Sequence, residues 1–306
     1  MASQVRPSNA SLFLSTVLIW GTTWYVILGQ LGVVHPVVSV SWRFLLSALL
    51  MLVICRWRGI DLRLPLAIHR LCLLQGLTLF GINYCLFYTA SGVLTTGLIS
   101  VVFSTMVFWN ALGAALFLGR TLDHRALIGG LIGMFGLMVL FAGEVSTLTF
   151  SDDTLFSLGL CLVATLCAST GNIVSAKTQA LGISVWSTTA FGMLYGGGLV
   201  LAGAWMWGIP LRFEWTAVYI GSLAYLVVFG SVIAFASYLT LLGRIGPGRV
   251  AYATVAFPVV AVLMSVLFEG FKPDLWSGVA VVVVLAGNWI ALSHSKQKPA
   301  CVSVPR

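Results

Sequence analysis

The chain has 306 residues, 59% of them hydrophobic and 8% charged, with a mean hydropathy of +1.04 and a net charge of +8. A soluble domain carries about a quarter of its residues as charges, so a chain this poor in charge cannot cover a water-soluble globule of its size, and lipid must cover it instead. No basic run interleaved with aromatics marks a nucleic-acid surface; the positive excess fits the Lys and Arg that membrane proteins collect on cytoplasmic loops.

A helix crosses a hydrocarbon core of about 30 Å with roughly 20 apolar residues. Ten such runs follow one another, at 11–31, 36–54, 70–89, 95–118, 125–142, 155–177, 184–208, 216–238, 249–268 and 275–293. Uncharged runs of this length are helical, unlike the short alternating segments of a barrel. The first run is too long for a leader's apolar core and reads as the first span. The weakest boundary is between spans three and four, where Ala90 to Leu94 carries no charge. The fold class expected is all-α and polytopic, with first and second five-helix units at 11–142 and 155–293 and tails at 1–10 and 294–306.

Taken in chain order, the spans carry a scatter of polar and aromatic residues. Residues three and four apart share a helical face. Span one places Thr16, Trp20, Thr23 and Gln30 on one face. Span two opens at Pro36 and carries Arg43 about 10 Å into the helix. An ionisable group at that depth is a functional candidate by default. A guanidinium there suits a carboxylate, or else ties down helix carbonyls; no acidic residue lies mid-span to pair with it. Span three sets Asn83 one turn from Phe87, with Tyr84 and Tyr88 beside them. Ser100, Ser104 and Phe108 form a stripe on span four; Thr165, Ser169 and Asn172 do so on span six. Span eight carries Ser231 and Tyr238, and Tyr252 begins span nine. Pro258, well inside span nine, is expected to act as a hinge or as a fixed kink. Gly129, Gly130, Gly133 and Gly136 make a ridge on span five, as Gly192, Gly196 and Gly197 do on span seven, for close helix packing.

The candidate substrate-binding set is therefore Trp20, Arg43, Asn83, Tyr84, Tyr88, Ser104, Ser169, Asn172, Tyr238 and Tyr252, with Pro258 as the hinge. Converging on one cavity, these side chains suit a neutral or zwitterionic solute with an apolar body. Interhelical hydrogen bonding competes as the explanation of each one singly. No catalytic residue, metal or cofactor is expected. The six cysteines form no C-x-x-C pair, the four histidines are dispersed near span ends, and no Asp or His lies at mid-depth. The expected partners are lipid and a small-molecule substrate.

Alternating the spans from a cytoplasmic N terminus puts thirteen of the sixteen Lys and Arg on the inner side. Arg212 and Lys272 fall outside, and Arg43 falls within span two. That segregation predicts both termini in the cytoplasm. An offset of 149 aligns Arg120 with Glu269 and Gly129 with Gly278; an offset of 150 aligns Gly21 with Gly171 and Tyr88 with Tyr238. Five spans per half is an odd number, so the second half must enter the membrane inverted, an arrangement that places a transport site at the midplane between halves.

Several segments resemble the EamA-type transporters of the drug/metabolite transporter superfamily. They are Trp20-Gly21-Thr22-Thr23-Trp24; Pro36 followed by Trp42-Arg43-Phe44; Arg244-Ile245-Gly246-Pro247-Gly248-Arg249; then Pro258, Glu269, Gly278 and Gly287, in that order over nearly the whole chain. The combination also resembles the bacterial aromatic amino-acid exporters of that superfamily. The resemblance implies a basket of ten helices around a central cavity in the bacterial inner membrane, exporting amino acids or small metabolites. In one departure, Arg120 stands where the family usually has a Glu, the repeat-mate of Glu269. Uptake or exchange of a nucleoside or sugar derivative is the second transport reading, and a membrane assembly or scaffold protein the reading from another class. With no carboxylate at mid-depth, proton-driven and facilitated transport both stay open.

Overall fold

The computed structural model describes residues 7–30, 32–90, 93–94, 96–142, 151–268 and 275–292. Among these residues the chain is helical throughout, without strands. Ten apolar helices are present: α1 (Asn9–Gln30), α2 (Pro36–Trp57), α3 (Leu66–Ala90), α4 (Thr96–Ser104 with Met106–Leu118), α5 (His124–Leu140), α6 (Asp152–Ala180), α7 (Val185–Met206), α8 (Ala217–Ile245), α9 (Pro247–Phe268) and α10 (Leu275–Leu292). They match the ten expected runs in order. The longest, α6, has 29 residues and so reaches about 44 Å at 1.5 Å per residue, more than a bilayer core requires. The uncharged boundary between spans three and four falls where expected, after Ala90 and before Thr96.

The helix ends follow from local chemistry. Ser8, Ser151, Ser184 and Thr216 each accept a hydrogen bond from a backbone N–H of the first turn of α1, α6, α7 and α8, satisfying donors that the helix leaves unpaired. Pro36 sits at the first turn of α2, where its missing N–H costs nothing. Gly246, at φ +93, makes the sharp corner between α8 and α9, a backbone region that favours glycine.

Inside the spans, hydroxyls are spent locally. Thr16, Ser47 and Thr165 each donate to the carbonyl four residues earlier. The outer surface is apolar, with Leu14, Leu116, Phe117, Trp289 and many others exposed. That is the composition a lipid-facing wall requires.

Packing follows a pseudo-twofold pattern. Helix α2 packs on α7 and α5 on α10, each pair being mates one repeat apart. Contact of α1 with α9 is mirrored by α6 with α4, and contact of α3 with α6 by α8 with α1. Both α3 and α8 widen into a π turn at the corresponding place, Gly76–Ile82 and Leu226–Ile233.

Glycines let neighbouring helices approach. A methyl group built on Gly76 would collide with the Gly192 carbonyl oxygen and stand 2.9 Å from the Gly196 nitrogen. One on Gly129 would stand 2.6 Å from the Gly287 carbonyl oxygen, and one on Gly287 2.7 Å from the Gly133 nitrogen. The glycine ridges on spans five and seven are thus packing seams, where backbones meet without side chains between them. Pro258 lies within the uninterrupted helical stretch Tyr252–Phe268, and the break in α9 falls earlier, at Ala251.

Candidate functional site

A cavity of about 280 Å³ opens where the two halves meet. Seven of the ten candidate residues line it: Trp20, Arg43, Asn83, Tyr84, Tyr88, Asn172 and Tyr238. The other three lie elsewhere. Ser104 is fully buried and donates to the Val101 carbonyl at 2.6 Å. Ser169 is buried on α6 outside the cavity wall. Tyr252 is fully buried beside Gly130 of α5, and its hydroxyl finds no hydrogen-bond partner among the described residues. For these three, helical spacing gave the right face of the wrong neighbour.

Eight of the nineteen lining residues are aromatic. Trp20 packs edge-on against Phe235 at 5.1 Å between centroids and lies tilted 5.0 Å from Tyr238. Phe87 meets Phe103 at 5.3 Å, and Phe103 meets Phe257 at 6.3 Å. Phe103, Phe235 and Phe257 were missed from sequence because a phenylalanine in an apolar span gives no signal separating cavity wall from lipid face. Thr23 and Phe87 had a signal: each shares a helical face with a candidate residue.

Among the described residues Arg43 is the one cation in this wall. It is 4% exposed, and a charge buried without partners costs several kcal/mol. Here Nε donates to the Ser231 hydroxyl at 2.8 Å and Nη2 to the Gly230 carbonyl at 3.0 Å. The guanidinium carbon also lies 5.4 Å from the centre of the Phe44 ring and 5.6 Å from that of Tyr84, in range of cation–π attraction. Gly230 and Ser231 belong to the π turn of α8, and the same Gly230 carbonyl accepts Trp20 Nε1 at 3.3 Å. Widened turns of this kind recur at functional sites. Gly230 must be small: a methyl there would stand 3.2 Å from Arg43 Nη2 and 2.9 Å from Thr23 Cγ2. Nη1 bonds to no described residue, so part of the guanidinium fork stays uncommitted.

Asn83 Oδ1 accepts the Tyr84 backbone N–H at 2.8 Å, holding the amide against its own helix. A polar layer joins the cavity to one end of the bundle. Asn172 Nδ2 donates to the Tyr238 hydroxyl at 3.0 Å and reaches Asn110 Oδ1 at 3.4 Å. Asn110 Nδ2 in turn donates to the Pro247 carbonyl at 3.0 Å. Beyond that layer, Arg249 forms an ion pair with Asp123. Arg244 donates to the Pro7 carbonyl at 2.7 Å and to Asn9 Oδ1 at 3.2 Å. These contacts close that end across the two halves. Arg120, in the position where an acid was usual, lines a small void of about 30 Å³ with Asp123, Gly246 and Arg249. Burial and the neighbouring Arg249 guanidinium lower its pKa from the ordinary arginine value.

A lipid-clad bundle with a solute-sized chamber between its halves is the frame of a membrane transporter. The chain belongs to the EamA-like transporter family, whose pattern matches residues 8–142 and again 155–293. It is similar over most of its length to curated bacterial proteins. One is the Bacillus subtilis protein named uncharacterized transporter YvbV, 25% identical over 96% of this chain and 93% of the relative. Another is the Escherichia coli protein named probable amino-acid metabolite efflux pump, 24% identical over 91% of this chain and 93% of the relative. A solved crystal structure superposes with a TM-score of 0.79 over 94% of this chain and 97% of its own, at 17% identity, and shares the fold.

Proposed function

We propose that this multi-pass membrane protein is a secondary transporter of the bacterial inner membrane, exporting amino acids with aromatic or apolar side chains, or related small metabolites, by alternating access. The supporting observation is the cavity itself: aromatic walls with one buried arginine and a few amides, at the junction of two packed halves. Its lining residues on α1, α3 and α4 fall in the halves of those helices away from the Asp123–Arg249 pair. With both termini in the cytoplasm, as the charge distribution supports, this is a conformation closed inward and open outward. The units 11–142 and 155–293 then rock against each other, with Pro258 and the interruption at Ala251 taking up the motion. Trp20, Arg43, Asn83, Tyr84, Tyr88, Asn172 and Tyr238 contact the solute. The relative named as an amino-acid metabolite efflux pump supports both direction and cargo.

The test is uptake of radiolabelled aromatic and aliphatic amino acids into proteoliposomes, with and without a pH gradient. Saturable flux that falls in Arg43→Ala and Asn83→Ala, in variants that elute as folded protein, is the expected result. Absence of flux for every amino acid from folded protein rejects the cargo.

A further inference from the structure

The charge balance of the cavity differs from that of a zwitterion. Arg43 contributes a full positive charge to the wall, and among the described residues no carboxylate lines it. The groups that neutralise Arg43 in part are all neutral: the Ser231 hydroxyl, the Gly230 carbonyl and the Phe44 and Tyr84 rings. None of the eight acidic residues falls within a predicted span. The described ones are at helix ends or loops, and Asp123 is already held by Arg249.

An ammonium group entering this chamber meets only neutral acceptors. The Gly230 carbonyl already takes Arg43 and Trp20, and the free oxygen of Asn172 is buried beneath the surface. A carboxylate, by contrast, meets an uncommitted edge of a guanidinium in a site of low dielectric, where opposite charges attract far more strongly than in water. A zwitterion leaves the site as charged as before, whereas a monoanion neutralises it.

We infer that the cavity selects carboxylate monoanions with an aromatic or branched apolar body over the corresponding zwitterions: the deaminated or N-acylated relatives of the amino acids named above. Arg43 is the group that reads the charge, and the aromatic wall reads the body. The inference rests on the transporter reading and narrows its cargo.

The experiment is calorimetric titration of the detergent-purified full chain with four probes that share one phenyl body. They are 3-phenylpropionate, N-acetylphenylalanine, phenylalanine and 3-phenylpropionamide. In the wild-type protein both anions are expected to bind at least about tenfold tighter than phenylalanine and the neutral amide, the discrimination of a charge met or left unmet. In Arg43→Gln the four affinities are expected to draw within roughly threefold of one another, while Arg43→Lys keeps the preference for anions because the charge remains. A merely structural arginine would weaken all four probes alike and leave their ratios unchanged, which overturns the inference. So does phenylalanine binding as tightly as the anions in the wild-type protein, a result that requires no variant to fold. Counterflow of the same probes in proteoliposomes is read separately: its failure for every probe counts against the transporter reading, whereas flux without head-group discrimination counts against this inference alone.

Discussion

Replacing Gly76 with alanine puts a methyl group against the backbone of α7. The new carbon collides with the Gly192 carbonyl oxygen and lies 2.9 Å from the Gly196 nitrogen and 3.3 Å from the Gly192 carbonyl carbon. All three are backbone atoms, so no rotamer change relieves the contact, and α3 must move away from α7. Overpacking of this kind costs about 1–3 kcal/mol. Alanine regains about 0.5–1 kcal/mol of helix-interior stability over glycine, leaving a net loss of roughly 1–2 kcal/mol. For a chain of this size that is a fall of roughly 2–3 °C in unfolding midpoint. Gly198→Ala on α7 is the control, because a methyl there meets nothing within 4 Å; it is expected to be neutral or slightly stabilising. The assay is thermal unfolding of the detergent-purified variants followed by size-exclusion fluorescence. Gly76→Ala melting at or above Gly198→Ala would refute the argument that the α3–α7 seam is held by backbone contact.

Other expectations concern the cavity and its closed end. Gly230→Ala presses on Arg43 Nη2 and Thr23 at once and is expected to weaken solute binding by about tenfold, measured by the same calorimetry, through displacement of the guanidinium. Asn172→Leu removes the donor to Tyr238 and is expected to cost about 1–3 kcal/mol by leaving buried polar groups unmet; a melting point equal to wild type would argue against the polar layer. Asp123→Asn weakens the ion pair with Arg249 and is expected to raise the reactivity of a cysteine placed at Gly248 toward a membrane-impermeant maleimide applied to inside-out vesicles. Arg120 has its pKa lowered by burial and by Arg249. A cation whose folded pKa lies below its unfolded value costs stability at every pH below the folded pKa, neutral pH included. Arg120→Gln is therefore expected to leave the melting point at pH 7 unchanged or raised, and a clear drop would contradict that sign.

Much of this architecture was legible because the membrane imposes a length. Runs of about 20 uncharged residues can be little else than spanning helices, and all ten appear. Arg43 was legible for the same reason, as a charge where charges are costly. The cavity was half legible. Asn83, Tyr84 and Asn172 announce themselves as polar groups deep in apolar runs, but Phe235 and Phe257 do not differ in kind from lipid-facing phenylalanines. Spacing along a helix fixes a face and not what that face meets. Tyr252 consequently points at α5 and Ser104 turns back on its own helix. The π turns in α3 and α8 left no mark in composition. Their glycines look like any others in a membrane helix until the neighbouring helix is in place. The repeat offset of 150 aligned Tyr88 with Tyr238 and Gly21 with Gly171; the two π turns, matched at the same offset, could only be seen in three dimensions.

The glycines that bring neighbouring helices together and the residues that line the chamber are different sets. Gly76, Gly129, Gly133, Gly192, Gly196 and Gly287 all lie outside the cavity wall. A lineage of such proteins can therefore exchange Trp20, Arg43 or Asn83 for other side chains, and with them its cargo, without redrawing the frame. Relatives only a quarter identical over nearly their full length are compatible with that separation of scaffold from selectivity.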